Sequence, residues 1–151
     1  MTAAASTPAT PATRSRTTSI LITGALAGVA AAVATTAVAA IAKGLGVPME
    51  AAPQSAAVAE PLPMVAFAQI TLMSTAIGVV LALALNRWAR RPARTFVITT
   101  VILTVLSVAP SVTAGHATLG TKAVLVLTHI VAAAIVIPLL ASRLPGTRED
   151  A

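Results

Sequence analysis

The sequence contains no cysteine. No disulfide, thiolate metal site or thiol redox centre can form, which excludes the four-helix disulfide-forming oxidoreductases. Acidic side chains are almost as scarce: Glu50, Glu60, Glu149 and Asp150 are the only carboxylates, and all lie outside the long apolar runs. A proton- or cation-coupled carrier ordinarily needs an ionisable group at membrane depth. Small multidrug-resistance transporters, which have this size, rely on a glutamate in their first helix; the first apolar run here has none. No phosphate loop, nucleophile elbow, zincin helix or dinucleotide fingerprint occurs either, so neither an enzyme nor a cofactor is expected.

What fills the chain instead is apolar: 57% of its residues are hydrophobic and only 9% charged, against about a quarter charged in soluble domains. Four runs are long enough to cross a membrane, since about 20 residues at ~1.5 Å each span a ~30 Å hydrocarbon slab. The expected spans are 20–42, 62–85, 95–112 and 119–141. The fold class that follows is all-α, a four-transmembrane-helix bundle within residues 20–144. Residues 1–19 are Ala, Thr, Ser and Pro with Arg14 and Arg16, with no apolar face to offset the entropy of ordering, and are expected to be a disordered tail. Residues 145–151 form a second short tail. A signal peptide cleaved after Ala37-Val38-Ala39 is disfavoured, because the apolar stretch before it is about 20 residues and a secretory core is about 7 to 15. Between the first two spans, Gly44, Gly46, Pro48, Pro53 and Pro61 break regular structure, although Met49 to Glu60 has room for a turn or two of helix.

The formal net charge of +6 does not point to nucleic acid, because the basic residues are sorted between the spans. Arg14, Arg16, Arg87, Arg90, Arg91, Arg94, Arg143 and Arg148 flank one set of span ends, and only Lys43 and Lys122 flank the other. The positive-inside rule then places both termini in the cytoplasm. Arg87, Trp88, Arg90, Arg91 and Arg94 sit at the expected headgroup level as interfacial anchors, and Lys122 snorkels from the opposite side. The richness in Ala, Thr, Val and Arg suits a high-GC bacterial source, hence the bacterial plasma membrane.

Within the spans, polar groups are few. Gly24, Gly28, Ala32 and Thr36 form a small-residue stripe suited to close helix approach, expected to serve packing inside one molecule, with a dedicated dimer face as the alternative. Thr100, Thr104, Ser107 and Ser111 give the third span a mildly polar face. His129 lies ten residues into the fourth span, about 15 Å deep, and needs a hydrogen-bond partner there. Ser74 and Thr104 fall at matching depth, with Gln69 about a turn further out, so His129, Thr104, Ser74 and Gln69 form the candidate intramembrane polar site. Either it locks the bundle, or it serves as a proton relay or ligand contact. A haem held by both histidines is geometrically poor, because His116 and His129 stand roughly 20 Å apart along a helix. His116 is read as an outer-loop residue.

The stretches Leu106-Ser107-Val108-Ala109-Pro110, Leu125-Val126-Leu127-Thr128-His129-Ile130-Val131-Ala132-Ala133-Ala134 and Ile137-Pro138-Leu139 resemble domain-of-unknown-function family 6069, small four-helix bacterial membrane proteins. The resemblance covers about Ile20 to Leu144, and Thr128 stands where that pattern has a methionine. It implies fold and membrane location and brings no activity. The function expected first is a non-enzymatic structural or partner subunit in the lipid bilayer, as a homo-oligomer or beside another membrane protein. The alternatives are a small transporter or permeability factor built around His129, and a haem- or quinone-associated subunit. An extended water-lined path between spans two, three and four would favour transport, and a dry, tightly packed centre the structural role.

Overall fold

The computed structural model describes residues 11–52, 59–113 and 117–146, with side chains from residue 15 onward. His116, Gln54, the first ten residues and the Arg148, Glu149 and Asp150 tail lie outside the described residues. Four helices account for most of the rest: α1 (Pro11–Gly44), α2 (Met64–Trp88), α3 (Pro92–Thr113) and α4 (Leu119–Ala141). All four are long and apolar enough to cross a membrane, and in lipid a helix is the element that satisfies its own backbone.

Helix α1 corrects the expected boundary of the N-terminal tail. It begins at Pro11 rather than at Ile20, so residues 11–19 continue the helix. Proline is well suited to a first helical turn, because its missing N–H is one of those left unbonded there anyway. At the other end, Gly46 takes the left-handed conformation with φ 85°. Its N–H bonds the Lys43 carbonyl at 3.0 Å, and the Val47 N–H bonds the Ala42 carbonyl at 3.1 Å. This is a Schellman termination, in which a glycine avoids the Cβ clash that other residues meet at positive φ.

Of the following loop, residues 45–52 and 59–63 are described and are not helical, and the turn of helix expected within Met49 to Glu60 falls largely outside the described residues. Glu50–Ala51 pairs antiparallel with Glu60–Pro61, and the Leu62 N–H bonds the Met49 carbonyl at 2.7 Å. The loop is pinned to α4 as well: the Thr121 hydroxyl donates to the Pro48 carbonyl. Thr118 caps α4 by accepting from the Thr121 N–H at 3.2 Å. Around these ties, Ala39, Ala42, Met49, Phe67 and Val124 form one buried cluster at this end of the bundle.

At the opposite end a second cluster gathers Ile20, Ala82, Phe96, Leu140 and Leu144. The Ala93 N–H at the start of α3 bonds the Pro145 carbonyl at 3.2 Å, satisfying one of the orphan donors of a helix N-terminus. The beginning of α1, the α2–α3 turn and the end of α4 therefore share one end of the bundle. Arg16, Arg87, Arg90, Arg91, Arg94 and Arg143 are all exposed there, and Trp88 is 79% exposed. An amphipathic ring left open at a helix end suits the membrane–water interface.

Helix α1 is the most buried of the four and α3 the least. The main interhelical contacts are of α1 with α2, α1 with α4, and α3 with α4, whereas α2 meets α3 and α4 only lightly. The small-residue stripe explains the first of these. A Cβ added to Gly24 would stand 2.2 Å from Val79 Cγ2, and one added to Gly28 would stand 3.2 Å from Thr75 Cγ2. Both glycines let α2 come closer than side chains would allow. In the same seam the Thr35 and Thr71 hydroxyls share a buried hydrogen bond of 3.1 Å. The stripe thus serves packing inside one molecule.

Candidate functional site

Because α2 is drawn onto α1, the seam between α2 and α3 stays open. A cleft of about 430 Å³ lies between α2, α3 and α4. It is lined on α2 from Ala66 to Leu81, a distance of about 22 Å at the helical rise, most of the ~30 Å thickness of the hydrocarbon layer. Its two ends reach the buried clusters, through Phe67 and Leu125 at one end and through Leu81 and Phe96 at the other. On its open side Ile70 and Ile77, each 62% exposed, line the cleft and face the space that lipid occupies.

Most of the wall is aliphatic, and the polar groups are concentrated in three short stretches. Helix α2 supplies Thr71, Ser74 and Thr75; α3 supplies Thr100, Thr104 and Ser107; α4 supplies Thr128 and His129. Of the residues singled out from the sequence, His129, Thr104 and Ser74 line this one space. Gln69 does not: it is exposed on α2 and absent from the lining. A second, almost wholly apolar groove of about 420 Å³ is lined by α3 and α4 and shares Thr104, Ala133 and Ile137 with the first.

His129 meets its hydrogen-bond requirement differently from the expected cross-helix contact. Its Nδ1 lies 2.7 Å from the Leu125 carbonyl of its own helix, and the Thr128 hydroxyl donates to the same carbonyl at 2.8 Å. A carbonyl can only accept, so Nδ1 carries the hydrogen. In the neutral ring this leaves Nε2 as the unprotonated acceptor nitrogen. The interfacial residues form no part of the cleft: Arg87, Trp88, Arg90, Arg91 and Arg94 stand at the arginine-rich end, and Lys122 is half-buried near the start of α4. Among the described residues no group of three or more His, Cys, Asp or Glu side chains could hold a metal ion.

Other contributors escaped sequence reasoning. Thr71, Thr75 and Gly78 stand with the expected Ser74 at three- and four-residue spacing on α2, which places them on one face, and that spacing was the available signal. Phe96 gave none, because its role depends on how far α3 stands from α2.

Four apolar helices around a largely aliphatic cleft define a small multi-pass helical membrane protein. The chain belongs to a family of unknown function, DUF6069, whose match extends over residues 15–146. No curated protein and no solved structure matches it.

Proposed function

We propose that the protein is a non-enzymatic membrane carrier or permeability factor that holds a lipophilic small molecule in the cleft between α2, α3 and α4. The observation that carries this reading is the cleft itself, about 430 Å³ in volume, within the range of about 300 to 1,000 Å³ usual for small-molecule sites. In lipid, helices associate through packing, and an unfilled seam forfeits those contacts. A bundle serving only as a structural subunit gains by closing it. The aliphatic wall and lack of carboxylates suit an apolar cargo rather than an ion or a water column. The exposed Ile70 and Ile77 margin suits access from the bilayer rather than from water. Protein purified from native membranes should carry about one equivalent of a lipophilic compound, recovered by organic extraction and identified by mass spectrometry; extracts holding only bulk phospholipid would refute the reading.

The arginine-rich end faces the cytoplasm of a bacterial plasma membrane in this proposal, following the excess of arginine there. Reporter fusions after Gly146 and within residues 87–94 should both report cytoplasm, and a fusion near Gln54 the opposite side. An external signal from the basic loop would overturn the orientation.

A further inference from the structure

All but one of the polar groups on the cleft wall have their hydrogens already committed. Thr75 donates to the Thr71 carbonyl at 2.8 Å, Thr100 to the Phe96 carbonyl at 2.7 Å, Thr104 to the Thr100 carbonyl at 2.8 Å and Ser107 to the Thr104 carbonyl at 2.8 Å. Thr128 donates to the Leu125 carbonyl. Thr71 shares its hydrogen bond with Thr35, and Thr35 also reaches the Ala32 carbonyl at 3.2 Å. With the Thr35 hydrogen given to the Ala32 carbonyl, Thr71 donates to Thr35, and its hydrogen stays between α1 and α2. Ser74 keeps the one lining hydroxyl hydrogen without such a bond. His129 has given its Nδ1 hydrogen to the Leu125 carbonyl, so its Nε2 offers a lone pair. The wall is therefore rich in acceptors and poor in donors, and imidazole nitrogen is the strongest acceptor on it.

We infer that the ligand is a neutral lipophilic alcohol or phenol, whose hydroxyl donates to His129 Nε2 while its hydrocarbon fills the aliphatic remainder of the cleft. This rests on the proposed ligand-binding role and adds the chemical class. A ligand that brings its own donor satisfies Nε2, whereas one with only acceptors leaves two lone pairs facing each other away from water. No lysine, arginine or carboxylate lines the cleft. Phospholipid phosphates, fatty-acid carboxylates and haem propionates find no counter-charge there, and ammonium compounds find no anion. Quinones carry acceptors alone and lack the hydrogen that the site requires. The Ser74 hydroxyl, which lines the same cleft, can donate to the ligand oxygen, since a hydroxyl accepts as well as donates.

The test uses two probes that differ by one hydrogen-bond donor. 4-Octylphenol and its methyl ether, 4-octylanisole, are titrated into the full chain in nanodiscs and bound probe is counted by native mass spectrometry. The phenol should bind about tenfold more tightly than the ether, the order expected for one buried hydrogen bond. His129→Leu should reduce that preference to about onefold, chiefly by weakening binding of the phenol. Equal or tighter binding of the ether to the wild-type chain would overturn the alcohol assignment alone. Binding of neither probe would overturn the ligand-binding reading with it. Should His129→Leu not fold, ¹⁵N resonances of the wild-type histidines decide. The phenol should shift one Nε2 signal and the ether should not; an unmoved signal with bound phenol would refute the contact.

Discussion

Gly24→Leu should destabilise the bundle by about 3 kcal/mol, the upper end of the cost of overpacking a tight core, whereas Gly44→Leu should change stability by less than about 0.5 kcal/mol. The contrast isolates packing, because both positions are glycines of α1. At Gly24 even a Cβ would stand 2.2 Å from Val79 Cγ2, and Val79 is a β-branched residue on a packed helix; at Gly44 nothing lies within 4 Å. Val79 has few rotamers to retreat into, so α2 itself must move away from α1. Unfolding in mixed detergent and sodium dodecyl sulfate, followed by circular dichroism, measures the difference. Equal midpoints for the two variants would mean that α1 and α2 do not approach as closely as the stripe requires.

Gly78→Phe should empty the cleft while keeping the fold. A Cβ at Gly78 meets only Leu140 Cδ1, at 3.9 Å, and Gly78 lies on the wall. Replacing a mid-helix glycine removes a conformational penalty of up to about 1 kcal/mol, which works in favour of α2. The added ring occupies volume a ligand needs. Occupancy by the co-purifying compound should fall at least about tenfold, equivalent to 1.4 kcal/mol, with circular dichroism and unfolding midpoint close to wild type. Unchanged occupancy in the folded variant would place the compound elsewhere on the protein.

How far the sequence alone reached depended on whether a feature is local. Spans two, three and four are bounded by Pro63, Pro92 and Thr118, residues whose chemistry starts helices, and their ends fell within three residues of expectation. The first span ran longer because the Thr- and Arg-rich segment before Ile20 lacks an apolar face but does not lack helix-compatible residues. Its ten preceding residues lie outside those described. For the polar site, depth was readable and azimuth was not. Gln69 and Ser74 differ by five residues, about 140° around a helix, so a residue chosen for depth alone can face away from the site. The contact of His129 was missed for a related reason. The carbonyl four residues back is always within reach of a helical side chain and competes with any partner on another helix.

The cleft itself had no sequence signature. It arises because α1 holds α2 close through Gly24 and Gly28 while α3 leans on α4, and the width of the α2–α3 seam is set by those two attachments together. Extended yet aliphatic, it matches neither the water-lined path nor the closed centre by which transport and structural roles were to be separated. A path of that kind suits molecules that already dissolve in the bilayer.

The central claim is that this seam is a ligand site, and a high-resolution density map of the chain purified with its native lipids tests it most directly. The expected result is non-protein density between α2, α3 and α4, in contact with His129 Nε2. Side chains of α2 and α3 meeting across the seam, or a helix from a second copy filling it, would contradict the claim.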